Sequence, residues 1–384
     1  MSQSKLQSKL PNLATSIFTE MSGLAMQSGA INLSQGFPEF ETPAFLRNSV
    51  NFAIEQGQNQ YSPSNGAPAL LTQIGKLIKS QYAFNLDPSK SVTVTSGATE
   101  ALFVAFQSLV RPGDEVIVFD PAYDSYEPAV ELAGGKCVHI PLLAPEYSVD
   151  WQQVKQHINA QTRAIVINSP HNPTGTLLSE RDMQFLQSLI LENDLYLISD
   201  EVYEFITFDG ERHESVLRYP ELFERSFVIS SFGKTFHCTG WKMGYCVAPE
   251  VLSTEFRKIH QYVTFCSSTP FQSGIAKMLE KDFEHIIQLS HFYQQKRDVL
   301  SNALADSRFK VLQSKGTYFL LLDYSEISDL DDRAFCNWLT KEIGVAAIPL
   351  SPFYQTDPAS RVIRLCFAKN NDTLRQAGKI LCQL

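Results

Sequence analysis

Between about residues 91 and 248, short apolar or β-branched runs recur, each ending in a polar or Gly/Pro-rich loop and separated from the next by a helix-like segment. The runs are SVTVT at 91–95, EVIVF at 115–119, AIVI at 164–167, LYLIS at 195–199 and FVIS at 227–230. Runs that are apolar on both faces need cover on both faces. The rhythm therefore predicts βα units around a mostly parallel sheet. The loops that follow read SGATE, DPAYDSY, NSPHNPTG, DEVYE and SFGKT, and they hold most of the chemically distinctive residues of the chain. In open α/β sheets ligands sit beyond the carboxyl ends of the strands, so these loops predict one shared site.

After about residue 285 the texture changes to a helical stretch (HFYQQKRDVLSNAL), an alternating run (GTYFLLLDY), a second helix (RAFCNWLTKEIG) and a run, RVIRLCFAK, whose apolar centre VIRLCF holds one arginine. That pattern predicts a smaller α+β domain. The expected division is an N-terminal arm sharing in the small domain at 1–45, a large domain at 46–285 and the small domain at 286–384. No internal repeat or low-complexity tract interrupts it.

Composition narrows the function. With 384 residues, 44% hydrophobic and 19% charged, the chain can bury a large core. A net charge of -9 and a pI near 5.4, without a dense Lys/Arg run, oppose binding to nucleic acid or anionic membranes. No apolar stretch approaches the ~20 residues that span a bilayer, and the opening MSQSKLQSKLPN lacks a signal-like core, so a cytoplasmic protein is expected. The seven cysteines show no C-x-x-C pair and read as reduced thiols. His171 and His237 lie in the chemical loops, but no metal-ligand spacing surrounds them.

The most informative segment is SFGKTFHCTGWKMG at 231–244, where Lys234 follows an apolar strand among small residues. An isolated lysine is more often a snorkelling surface charge. Here the small neighbours allow a flat ligand to approach the backbone, Ser231 offers a hydroxyl to a phosphate, and Lys242 adds a point charge. Taken alone, Asp200 after a strand is as readily a helix cap, Asn172 a turn residue and Tyr203 or Tyr123 core.

Ser-x-x-Lys followed by Gly-Trp-Lys-x-Gly resembles the attachment motif for pyridoxal phosphate (PLP) in class-I aminotransferases of fold type I. Gln35-Gly36-Phe37-Pro38, Tyr61, Ser96-Gly97-Ala98-Thr99-Glu100, Asn172-Pro173-Thr174-Gly175, Asp200-Glu201-Val202-Tyr203 and Arg364 fall in the family's order, so the resemblance covers nearly the whole chain. It implies a Schiff base between PLP and Lys234, which also moves protons. It implies Asp200 at the ring nitrogen, Asn172 and Tyr203 at the phenolic oxygen, and Tyr123 against the ring. Ala98, Thr99, Ser231 and Lys242 would hold the phosphate, with Lys242 standing where many relatives have arginine.

Arg364, assisted by Gly36 and Asn172, would bind the substrate carboxylate. The family's dimeric sites imply a homodimer in which Tyr61 reaches a neighbour's phosphate and Phe265 lines a neighbour's pocket. The implied reaction is transamination in two halves, from an L-amino acid to a 2-oxo acid. The resemblance is nearest to the methionine and kynurenine/glutamine transaminase K branch. The segments expected at the pocket, 16–18 with Phe18, Thr99 and 264–266, carry no second cation. Large uncharged substrates are therefore expected, methionine first. A carbon–sulfur β-lyase on the same fold is the alternative; a regulatory protein built on such a domain would carry a basic N-terminal extension, which is lacking.

Overall fold

The computed structural model describes residues 7–281 and 283–384. The first six residues of the expected arm at 1–45 lie outside the described residues. The helix Ile17–Ser28 starts at Ser16, whose hydroxyl accepts from the Phe18 N–H, and stops at Gly29, which takes the left-handed conformation at φ 63°. The chain then forms the short strand β1 (Ile31–Asn32).

The central sheet comprises β2 (Val92–Thr95), β3 (Glu115–Asp120), β4 (Lys136–Pro141), β5 (Thr162–Asn168), β6 (Tyr196–Asp200), β7 (Ser226–Ser231) and β8 (Gly244–Val247). Their order across the sheet is β2-β8-β7-β6-β5-β3-β4. The strands from β3 to β7 pair in parallel, and β8 runs antiparallel to both β2 and β7. Side chains alternate between two apolar cores: Ile117, Ile165, Leu197 and Val228 enter one, while Val116, Val166, Ile198 and Ile229 enter the other. This explains why the strands read as continuous apolar runs, since neither face meets water.

The second sheet is antiparallel. It contains β9 (Lys310–Val311), β10 (Phe319–Asp323), β12 (Ile348–Pro349) and β13 (Val362–Cys366), ordered β12-β13-β10-β9. Between them β11 (Val345–Ala346) pairs in parallel with β1, fastening the N-terminal segment to this part of the molecule. The helices Glu284–Ala303 and Asn371–Leu381 pack on each other beside it. The sequence boundary placed between 285 and 286 falls in the first turn of Glu284–Ala303.

Candidate active site

The loops after β2, β3, β5, β6 and β7 meet at one cavity of about 250 Å³, to which β10, β13 and the N-terminal segment also contribute. Of the residues singled out from the sequence, Phe18, Gly36, Ala98, Thr99, Tyr123, Asn172, Asp200, Tyr203, Ser231, Lys234, Lys242 and Arg364 all line it.

Lys234 lies in the single helical turn Phe232–Thr235 that follows β7. Its Nζ donates to the Tyr318 hydroxyl at 2.8 Å and lies 5.5 Å from the centroid of the Tyr203 ring. Burial first, and then the positive charge of Lys242, push its pKa down to about 8, while Cys366 and Asp200 act in the opposite sense. A lysine so placed reaches its neutral, nucleophilic form at far lower cost than a solvated one. Tyr203 is buried, and burial holds its hydroxyl above the usual phenol range.

Asp200 ends β6. Its Oδ2 accepts from the Tyr126 hydroxyl at 2.7 Å, and burial raises its pKa to about 6. At neutral pH it remains an anion with few partners, the state needed to bind a protonated ring nitrogen. Asn168, at the end of β5, donates to the Asp200 carbonyl and accepts from the Asn172 N–H, each at 2.8 Å, which couples two of the loops.

The cavity is also walled by the start of the helix Gly97–Leu109, where the Glu100 carboxylate accepts from the Ser96 N–H but the Ser96 side chain caps no helical N–H, so the first N–H groups of the helix are open to an anion. Gly97 has φ +76°, and a side chain there would begin 3.2 Å from Lys242 Cε and 3.4 Å from its Nζ. Lys242 itself takes the left-handed conformation at φ 52°, a strained backbone of the kind found at functional sites. A Cβ on Gly244 would lie 2.8 Å from the Ser230 carbonyl oxygen and 2.9 Å from Ala98 N. Only glycine lets β8 come so close to this loop. Thr99 hydrogen-bonds Tyr123, whose own hydroxyl burial pushes up to about 12.

At the opposite end stands Arg364, fully buried in the middle of β13. Nη1 donates to Asn172 Oδ1 at 2.7 Å and Nη2 to the Ser34 carbonyl at 3.2 Å, while Nε has no partner. Its guanidinium lies 3.9 Å from the Phe319 ring centroid and 5.2 Å from that of Phe18. Among the described residues no carboxylate forms a close ion pair with it, although the charge of Asp124 acts on it, and burial lowers its pKa to about 10. A buried cation without a directly bonded carboxylate is expensive, so the cavity is prepared for an anionic ligand group. Because Arg364 occupies Asn172 Oδ1, the amide nitrogen of Asn172 is left as a free donor.

The whole chain agrees with this site. Residues 28–381 match the model of the family "Aminotransferase class I and II". The chain is a class I/II aminotransferase. It is 51% identical over 378 residues to the methionine aminotransferase of Escherichia coli K12, covering 98% of each chain. It is 33% identical over 416 residues to mouse kynurenine–oxoglutarate transaminase 1, covering 100% of this chain and 98% of the relative. Among solved structures, an Escherichia coli protein identified with methionine aminotransferase activity superposes with a TM-score of 0.98 at 50% identity and full coverage of both chains. The N-succinyldiaminopimelate aminotransferase of Mycobacterium tuberculosis superposes at 0.95 with 37% identity, covering 98% of this chain and 99% of that one.

The aminotransferase is thus PLP-dependent with the type-I fold. Its residues fit the cofactor: a depressed lysine, a buried carboxylate, an uncapped helix start and a glycine cradle share one cavity. When bound, PLP supplies an aldehyde that condenses with amines and a ring that withdraws electrons from the carbon being deprotonated.

Two of the expected site residues lie elsewhere. Tyr61 is 81% exposed and Phe265 40% exposed, and their rings meet edge to face at 5.0 Å outside the cavity of their own chain. Conversely, Tyr126, Asn168 and Tyr318 were not singled out from the sequence, yet they line the cavity or hold residues that do. Among the described residues no His/Cys/Asp/Glu group suited to a metal was found.

Proposed function

We propose that this aminotransferase moves the amino group of a large uncharged L-amino acid, methionine foremost, to a 2-oxo acid by alternating half-reactions. Lys234 would hold PLP through its amine and, as a free amine, would carry the proton away from substrate Cα. Asp200 stays anionic to hold the ring nitrogen protonated. The Tyr203 hydroxyl and the free Asn172 amide donate to the ring oxygen, and Tyr123 packs against the ring. Ala98 and Thr99 with Ser231 and Lys242 hold the phosphate.

The observation that carries the reading is Arg364, a buried guanidinium with no carboxylate bonded to it on the wall of the cavity that holds Lys234. It recognises the substrate carboxylate, assisted by Gly36 and Asn172. Lys234 and Lys242 are the other lysines or arginines lining the cavity, and both are committed to the cofactor. No cation remains among the described lining residues for a second carboxylate, whereas Phe18, Leu102, Met243 and Phe319 offer apolar surface. The names of the 51% identical methionine aminotransferase and of the kynurenine transaminase point the same way.

The test is kcat/KM for methionine against aspartate with one fixed 2-oxo acid. Methionine should win by roughly 100-fold or more, because a carboxylate left unpaired in the pocket costs about 3 kcal/mol. Phenylalanine, tyrosine, kynurenine, glutamine, leucine and histidine are expected companions. Preference for aspartate would overturn the pocket reading. In the same panel Arg364→Ala should raise KM for methionine by roughly 10- to 150-fold with cofactor retained, the worth of a charge-assisted pair of about 1.5–3 kcal/mol.

The enzyme is further read as a cytoplasmic homodimer, the reducing setting suiting seven cysteines without a pairing pattern. Support for the dimer lies in Tyr61 and Phe265, together with Tyr262 at 90% and Val263 at 47% exposure, an apolar surface that a second copy would cover. Tyr61 would then reach the neighbour's phosphate and Phe265 its substrate pocket. Sedimentation should give twice the chain mass, and a fully active monomer would refute it.

A further inference from the structure

We propose that Tyr318 is a positioning residue for proton transfer: its phenol oxygen holds the free amine of Lys234 and ties it to the loop that leads to Arg364. The proposal rests on the reading of Lys234 as the proton carrier. Tyr318 belongs to the turn before β10 and is fully buried. Its hydroxyl donates to the Gly36 carbonyl at 2.7 Å and accepts from Lys234 Nζ at 2.8 Å.

A phenol has one proton. With that proton committed to Gly36, its oxygen faces Lys234, and the neighbouring Tyr203 hydroxyl, as an acceptor. One N–H of the amine is thereby anchored, and the lone pair of the neutral lysine is confined to the remaining directions. A free lysine otherwise has four rotatable bonds, so this anchor removes much of the search that precedes each proton transfer.

The phenol is held from several sides. Its ring packs between Tyr203, Tyr293 and Phe319 at centroid distances of 5.1, 5.7 and 4.9 Å. The Thr317 N–H donates to the Ile206 carbonyl at 3.0 Å, and the Phe367 N–H donates to the Tyr318 carbonyl at 2.9 Å. The contact with Gly36 is equally constrained. A Cβ there would lie 2.8 Å from Phe319 Cζ and 3.3 Å from Tyr318 Cε2, so only glycine lets the two segments meet. Two residues earlier, the Ser34 carbonyl accepts from Arg364. A continuous path of contacts thus joins the reacting amine to the buried guanidinium.

Tyr318→Phe removes one oxygen and keeps the ring. In the full-length enzyme loaded with pyridoxamine phosphate, where Lys234 is free, the rate of Lys234 carbamylation by cyanate can be followed against pH by peptide mass. The phenol oxygen favours the ammonium form, so its loss should move the midpoint down by about one pH unit. Lys242, Arg364, Asp200 and Cys366, which also act on the charge of Lys234, remain in the variant.

In the methionine half-reaction the rate constant should fall roughly 10- to 100-fold with KM little changed, and the Cα-deuterium isotope effect should rise. An unmoved midpoint together with an unmoved isotope effect would overturn the proposal. Were the phenylalanine variant not to fold, 3-fluorotyrosine at 318, a weaker acceptor on the same ring, should shift both readouts in the same directions; no shift overturns it equally. An unaffected Tyr318→Phe enzyme beside a dead Lys234→Ala enzyme sinks this proposal alone, whereas an active Lys234→Ala enzyme sinks the reading beneath it.

Discussion

Lys234→Ala is expected to abolish the visible absorption of the purified protein and to lower transamination by roughly 10⁴-fold or more, the combined worth of a covalent anchor and a positioned base. The expectation follows from geometry. Lys234 is the partly buried lysine in the helical turn after β7, its amine depressed to about 8 by desolvation, and it stands in the cavity that also holds Asp200 and Arg364. Lys242, the other lysine in the cavity, is placed against Gly97 at the helix start. It cannot take over without leaving that position. The alanine variant should still fold, because removing a buried charge relieves a desolvation cost. Absorption and turnover measured side by side check this, and an active variant would remove Lys234 from the mechanism.

Asp200→Ala should cost roughly 10²- to 10³-fold in kcat, the scale expected when one partner of a buried ion pair is deleted. The carboxylate is held by Tyr126 and sits at the end of a central strand, so the loss should leave the sheet intact. The sign of the pH effect follows from its raised pKa. Above about 6 the carboxylate is ionised and can bind a protonated ring; as pH falls through about 6 it takes up a proton and that partner is lost. PLP uptake by the apoenzyme should therefore weaken below pH 6 in the wild type and lose that dependence in Asp200→Ala. Undiminished turnover of the variant would contradict the role.

The parallel sheet and its five chemical loops were legible because each buried strand is an unbroken apolar run and each loop is abruptly polar. The strands that were missed lack that contrast. β4 is an edge strand whose sequence, KCVHIP, is exposed at both ends, half-buried in its middle and buried only at Cys137 and Ile140. β8, GYCV, is masked by the glycine-rich motif in front of it and runs antiparallel, so no βα unit announces it.

The site residues divide in the same way. Lys234, Asp200, Asn172 and Arg364 are polar groups in apolar surroundings and stand out in a sequence. Tyr318 does not, since in GTYFLLLDY it reads as one more aromatic of an alternating strand. Its meaning comes from a partner 84 residues away. Tyr126 was hidden by Tyr123 in the same loop, although it is Tyr126 that bonds Asp200. Tyr61 and Phe265 lie together on the surface of one chain, and their proposed work lies in another.

The central claim is that PLP is carried by Lys234 in this cavity. The most direct measurement is borohydride reduction of the yellow protein, followed by protease digestion and mass mapping of the modified peptide. A single pyridoxyl group on Lys234 is the result predicted. The same label on Lys242 or any other lysine, with Lys234 unmodified, would contradict the account.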